Sequence, residues 1–117
     1  MYTANGKTFM NENMHSKIAE ISRHRENFLK YVKVVGFEDA RGFDAVLDGR
    51  AVNKDVVGPE VDRITEELLK NDPRIGAIIL ECTELPPYAN MLREKYGIPI
   101  FDSLTMIEHF VSTRARN

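Results

Sequence analysis

Ile75-Gly76-Ala77-Ile78-Ile79-Leu80 runs directly into Glu81-Cys82-Thr83-Glu84-Leu85-Pro86-Pro87, and the change of character between them decides how the chain is read. The first six residues carry no polar side chain, as expected of a central parallel strand covered on both faces. The next four are polar and belong at the mouth of a sheet, not in its core. Pro86-Pro87 then opens a helix, because a proline in the first turn loses nothing by lacking an N–H. Ala89, Leu92 and Tyr96 mark its inner face, and Gly97 ends it in the C′ position. Ile98 to Phe101 reads as a short strand, and Ser103, with Asp102, caps a last helix whose inner face is Leu104, Ile107 and Val111.

Upstream, Asn71-Asp72-Pro73 stops a helix opened by Gly58-Pro59, with Val61, Ile64, Leu68 and Leu69 as its buried stripe. Met1 to Ala4 is a short strand ending at the Asn5-Gly6 turn. Met10, Met14, Ile18 and Ile21 fall at helical spacing, with Asn11 or Asn13 as N-cap. Tyr31-Val32-Lys33-Val34-Val35 is a second strand ending at Gly36. The stretch 37–57 reads as a loop with a helical turn at 43–47.

This order predicts an α/β fold: a small flavodoxin-like parallel four-stranded sheet, order 2-1-3-4, flanked by helices through right-handed crossovers. Ligands of open α/β sheets bind outside the carboxyl ends of strands, where the order reverses. Thr3-Ala4-Asn5-Gly6 and Glu81-Cys82-Thr83-Glu84 occupy those ends here.

The bulk numbers narrow the class. The 117 residues make a single domain, 1–117, and 16 basic against 18 acidic residues leave no field directed at nucleic acid or an anionic membrane. No apolar run has the length of a membrane span, and no signal peptide is expected, so the reading is a cytoplasmic protein. One cysteine excludes an internal disulfide and a thiolate-rich metal site. His15, His24 and His109 share no ligand spacing, so no metal is expected. Gly6-Lys7-Thr8 looks like the end of a P-loop, but Met1 stands where that motif needs glycine.

Cys82 precedes a helix N-terminus, whose partial positive charge favours the thiolate and lowers the thiol pKa. Thr83 offers a hydroxyl and an N–H in the same turn, and Thr3 and Asn5 add a hydroxyl and a carboxamide from the neighbouring strand end. Together they predict a cup for a small carboxylate with a thiol at its lip. The competing reading is an inert core cysteine, since free Cys packs as a small hydrophobe.

Ala77 to Pro87, followed by Gly97-Ile98-Pro99-Ile100-Phe101-Asp102-Ser103, resembles the signature of the aspartate/glutamate/hydantoin racemase superfamily. In that family a strand ends in a Gly-Cys-Thr-Glu type motif, and a later strand ends Pro-Val-hydrophobic-Asp. Thr3-Ala4-Asn5 resembles the turn opening the family's second domain. The resemblance implies the second, C-terminal half of a cofactor-independent amino-acid racemase, an isomerase using neither pyridoxal phosphate nor metal. Two thiols would then face opposite sides of the substrate α-carbon. It implies that Cys82 is one of them, that Thr83, Thr3 and Asn5 surround the substrate carboxylate, and that Glu84 orients the turn. Two features depart from the pattern: Glu81 stands where many members have glycine, and the first half with its thiol is absent. The expected partner is therefore a second copy, as a homodimer, or a missing first-half domain. The alternatives are a catalytically silent carboxylate-binding module, or single-cysteine chemistry like that of arylmalonate decarboxylase, in which the thiol only protonates an enediolate.

Overall fold

The computed structural model describes residues 1–9, 11, 16–17, 20 and 28–114. The helix expected through Met10, Met14, Ile18 and Ile21 lies largely outside the described residues. The chain opens with β1 (Tyr2–Thr3) and α1 (Gly6–Phe9), and a 3-10 turn covers Phe28–Tyr31. Then come β2 (Val35–Gly36), α2 (Asp44–Leu47), α3 (Lys54–Asn71) and β3 (Ile78–Ile79). A 3-10 turn at Pro86–Tyr88 leads into α4 (Ala89–Tyr96), and β4 (Ile100–Phe101) and α5 (Ser103–Ser112) follow.

The strands correct the expected four-stranded flavodoxin-like sheet. β1 pairs parallel with β2, setting Tyr2 opposite Val35, and β3 pairs parallel with β4, setting Ile78 opposite Ile100. Among the described residues these are two separate two-stranded sheets, linked by a parallel bridge between Tyr2 and Leu80. The result is a small mixed α/β fold. The ladders stop early because their neighbours cannot extend them. Pro99 has no N–H to donate, and the Asp102 N–H is already given to the Thr105 hydroxyl at 2.9 Å. Residues 28–31 form a 3-10 turn, so the expected second strand shrinks to its last residue and Gly36. Ala77 and Ile79 are exposed, so the apolar run is not covered on both faces as its composition suggested.

α3 begins four residues before the expected Gly58-Pro59 start. The Asn53 carboxamide accepts the Asp55 N–H at 3.0 Å, a stronger opening than proline alone supplies. Pro59 sits inside the helix and forgoes one turn bond near its start. The buried stripe is Val57, Val61, Thr65 and Leu68, so a threonine takes a core position that an apolar count passes over. Its partner explains it. The Tyr2 hydroxyl donates to Thr65 Oγ1 at 2.8 Å, and Thr65 in turn donates to the Val61 carbonyl at 2.7 Å. The Tyr2 ring packs on Phe37 at 5.1 Å between centroids, and Phe37 on Phe43 at 5.2 Å, which ties β1 and the β2–α2 loop to α3.

Gly97 closes α4 in the left-handed region at φ +64, with its N–H on the Arg93 carbonyl at 3.0 Å. Arg93 reaches from α4 to the Ile100 carbonyl at 2.8 Å and to Asp102 at 3.3 Å. Asp102, more than Ser103, caps α5, accepting the Thr105 N–H at 2.8 Å in a reciprocal capping box. Leu104, Ile107 and Val111 correct the expected inner face: all three are exposed, and α5 buries no residue. The radius of gyration of 15.5 Å exceeds the roughly 13 Å typical of a compact domain this size, in keeping with a helix held mainly at its first turn.

Close backbone approach joins the first two strand ends. A Cβ on Gly36 would stand 1.8 Å from Glu38 Oε2 and 2.6 Å from the backbone nitrogen of Gly6. The carboxylate can swing away, but the backbone cannot. Gly36→Ala is therefore expected to destabilise the fold by about 2 kcal/mol, read as a lowered urea midpoint. Adding Glu38→Ala is expected to restore only a small part of the loss. A midpoint equal to that of the unsubstituted chain would show that the strand ends do not approach so closely.

Candidate active site

The single bridge determines which strand ends meet. With Tyr2 opposite Leu80, the Glu81 N–H donates to the Tyr2 carbonyl at 2.9 Å, so Thr3 and the Glu81-Cys82 turn leave the sheets at the same end. Glu81, Thr83 and Glu84 are exposed, whereas Cys82 and Leu85 point inward. Leu85 is fully buried and anchors the turn, and its N–H bonds the Cys82 carbonyl at 3.1 Å. Cys82 is 9% exposed and packs in the core cluster that holds Tyr2, Leu80, Leu85 and Tyr88.

Burial reverses the expected electrostatics of the thiol. Its pKa is pushed above the ordinary value, chiefly by desolvation, and the Glu81 and Glu84 carboxylates push it further the same way. One group opposes them, the backbone N–H of Glu84 bonded to the sulfur. The helix N-terminus adds little because Pro86 and Pro87 contribute no N–H and the Leu85 N–H is committed to the Cys82 carbonyl. Cys82 is therefore a protonated thiol at neutral pH, and its thiolate is a strong base when formed.

The expected carboxylate cup at the end of β1 is taken by the protein itself. Glu38 accepts the Gly6 N–H at 3.0 Å and the Lys7 N–H, and these bonds hold its carboxyl below the usual range. Glu38 falls in the stretch read as a loop. The one sequence signal was an acid two residues after a strand-ending glycine. Thr3 is 3% exposed, with its carbonyl taking the Phe37 N–H at 2.9 Å, and Asn5 is half-buried beside it. Thr83 and Glu84 stand at the open side of the turn. Beside it lies a groove of about 950 Å³ between α5 and the β3–β4 edge, with Ile79, Phe101 and Met106 on its walls and Glu81 at its lip. Among the described residues no group of three His, Cys, Asp or Glu side chains has metal-binding geometry, and no helix is long and apolar enough to cross a membrane.

Comparison with known proteins gives a consistent set of relatives. Dimethylsulfoniopropionate lyase 5 of Emiliania huxleyi (strain CCMP1516) is 36% identical over 114 residues, which is 95% of this chain and 22% of that protein. Dimethylsulfoniopropionate lyase 7 of the same organism is 31% identical across 100% of this chain and 35% of its own length. The dimethylsulfoniopropionate lyase of Durusdinium sp. clade D is 33% identical over 78 residues, 67% of this chain and 26% of its own length. The chain thus spans roughly a fifth to a third of the relatives it matches. No protein-family profile and no solved structure matches it. These relatives overturn the racemase reading and with it the isomerase class: every one carries the name of a lyase. The Cys-Thr-Glu-Leu-Pro string specifies a thiol at a strand-to-helix turn, and that local geometry does not fix the reaction.

Cys82 is expected to react with iodoacetamide slowly at neutral pH, with a rate that climbs to a midpoint above that of an ordinary cysteine thiol. Glu84→Gln keeps the backbone N–H but removes a carboxylate, so it is expected to move that midpoint down. A midpoint below the ordinary thiol value in the unsubstituted chain would contradict the buried, acid-flanked setting.

Proposed function

We propose that this chain carries the thiol of an elimination site for a small carboxylate bearing a leaving group on its β-carbon, of the dimethylsulfoniopropionate type. The observation that carries the reading is similarity of 31 to 36% running over 95 to 100% of the chain to proteins named as lyases of that compound. The Cys82 thiolate takes a proton from the carbon next to the carboxylate. The freed pair forms the carbon–carbon double bond, and the carbon–sulfur bond breaks with both its electrons leaving on sulfur. Acrylate and neutral dimethyl sulfide result, and the new thiol returns its proton to solvent.

Such a carbon acid is weak, and the burial that raises the Cys82 pKa makes its thiolate a correspondingly stronger base. Glu81 and Glu84 set negative charge beside the thiol, which suits a substrate that carries a sulfonium. Thr83, exposed on the open side of the turn, offers its hydroxyl to the substrate carboxylate, while Thr3 holds the strand end from within. This assignment shares its proton chemistry with racemisation, but a β-leaving group diverts the carbanion before it can be reprotonated. A single free thiol suits a reducing compartment, and the reading puts the chain in the cytoplasm.

Incubating the purified chain with dimethylsulfoniopropionate is expected to release dimethyl sulfide, measured in the headspace, with acrylate forming in equal amount. Cys82→Ser is expected to lower the rate by on the order of 100-fold or more. Because the base must be deprotonated and its pKa is raised, kcat/KM is expected to rise about tenfold per pH unit across neutral pH. Equal rates for the chain and its serine variant, or a rate that falls as pH rises through neutrality, would refute the assignment.

A further inference from the structure

The tyrosines of this chain differ in what their hydroxyls do. Tyr2 donates to Thr65, Tyr96 donates to Asp62 Oδ1 at 2.6 Å, and Tyr31 stands in solvent. Tyr88 is only 6% exposed, yet among the described residues its hydroxyl has no hydrogen-bond partner. A buried phenol normally has one, because a desolvated hydroxyl left unpaired is costly. No fully buried side-chain oxygen among the described residues lacks a partner, so the Tyr88 oxygen is the point at which this residue meets the outside.

The backbone sets Tyr88 on the same side as the thiol. The Leu85 N–H bonds the Cys82 carbonyl at 3.1 Å, and the Tyr88 N–H bonds the Leu85 carbonyl at 3.0 Å. In such tight turns side chains three residues apart eclipse, so Cys82, Leu85 and Tyr88 form one row, and all three belong to the same buried cluster. Helix α3 steadies the ring: a Cβ on Gly58 would touch its edge, 3.6 Å from Cε1. Burial first and the Glu84 carboxylate second push the Tyr88 pKa up, and the same carboxylate acts on the Cys82 thiol. The phenol therefore stays protonated at neutral pH, a donor and not a base.

We propose that Tyr88 is a second functional residue of this site, its hydroxyl donating to the carboxylate of the substrate whose α-proton Cys82 removes. The chemistry rests on the elimination reading; the carboxylate binding does not. A carboxylate has two oxygens to satisfy, and the exposed Thr83 hydroxyl serves one while Tyr88 serves the other. As the α-proton passes to Cys82, negative charge spreads onto those oxygens until the carbon–sulfur bond breaks. A fixed phenol donor bonds that charge more strongly than it bonds the resting carboxylate, and so lowers the barrier. Tyr88 itself transfers no proton.

Binding is read without turnover, as protection of Cys82 from iodoacetamide by the trimethylammonium analogue of dimethylsulfoniopropionate, whose amine is a poor leaving group. Tyr88→Phe is expected to raise the half-protecting concentration about tenfold, the loss of one hydrogen bond to a charged group. Its kcat/KM for dimethylsulfoniopropionate is expected to fall about 100-fold, with kcat sharing in the loss. Its urea midpoint is expected to match the parent, since the hydroxyl bonds nothing in the chain. Tyr96→Phe, which deletes the bond to Asp62, is expected to do the reverse, lowering the midpoint and leaving protection unchanged. Weaker protection in Tyr88→Phe, with no dimethyl sulfide released by the unsubstituted chain, would uphold the carboxylate donor and reject the elimination reading. An analogue that protects neither chain, equal protection in both, or a midpoint that falls in Tyr88→Phe as in Tyr96→Phe would each overturn the Tyr88 assignment.

Discussion

One residue, Tyr2, holds the two halves of this fold together. Its hydroxyl bonds Thr65 on α3, its ring packs on Phe37, its carbonyl accepts the Glu81 N–H, and its backbone pairs with Val35 on one side and bridges Leu80 on the other. Burial drives its phenol pKa up to about 12, with the bond to Thr65 opposing, so the group remains a neutral donor at any physiological pH. A buried hydroxyl without a partner carries a desolvation cost of roughly 1 to 3 kcal/mol, which makes Thr65 as much a part of the core as any apolar neighbour. Among the described residues this junction carries the backbone link between the β1–β2 and β3–β4 pairs.

The character of the candidate site follows from that junction. Tying Glu81 to Tyr2 draws the following residue inward, and Cys82 turns into the cluster around Tyr2, Leu85 and Tyr88. The thiol thus meets a low-dielectric surrounding first and a helix end second. Two prolines in that helix end leave few donors to offset desolvation. Glu38 acts in parallel at the neighbouring strand end: an internal carboxylate satisfies the Gly6 and Lys7 N–H groups before any ligand arrives. Both effects shift the chemistry from a ready thiolate beside an open anion cup to a guarded thiol of high proton affinity.

Several of these features were legible in the sequence. The abrupt change after Leu80, the proline-led start of α4, the Gly97 stop and the Asp102 cap all depend on residues within a few positions of one another. Thr65 was hidden, because hydropathy scores its hydroxyl as polar and only Tyr2, 63 residues away, makes it a core group. The extent of the sheets was also hidden. Strand length depends on whether a neighbour has N–H and C=O groups to spare, and Pro99 and Asp102 do not.

The direction in which α5 faces divides the two kinds of information most clearly. Its sequence determines that a helix forms, where it is capped and which side is apolar, because those properties come from spacing and local hydrogen bonds. The tertiary structure decides that the apolar side points away from the body, because the capping box and the Arg93 contacts set the exit angle from β4. The same division applies to Cys82. Its place between strand and helix is local and was readable, whereas its protonation depends on burial and on carboxylates whose positions only the folded chain sets.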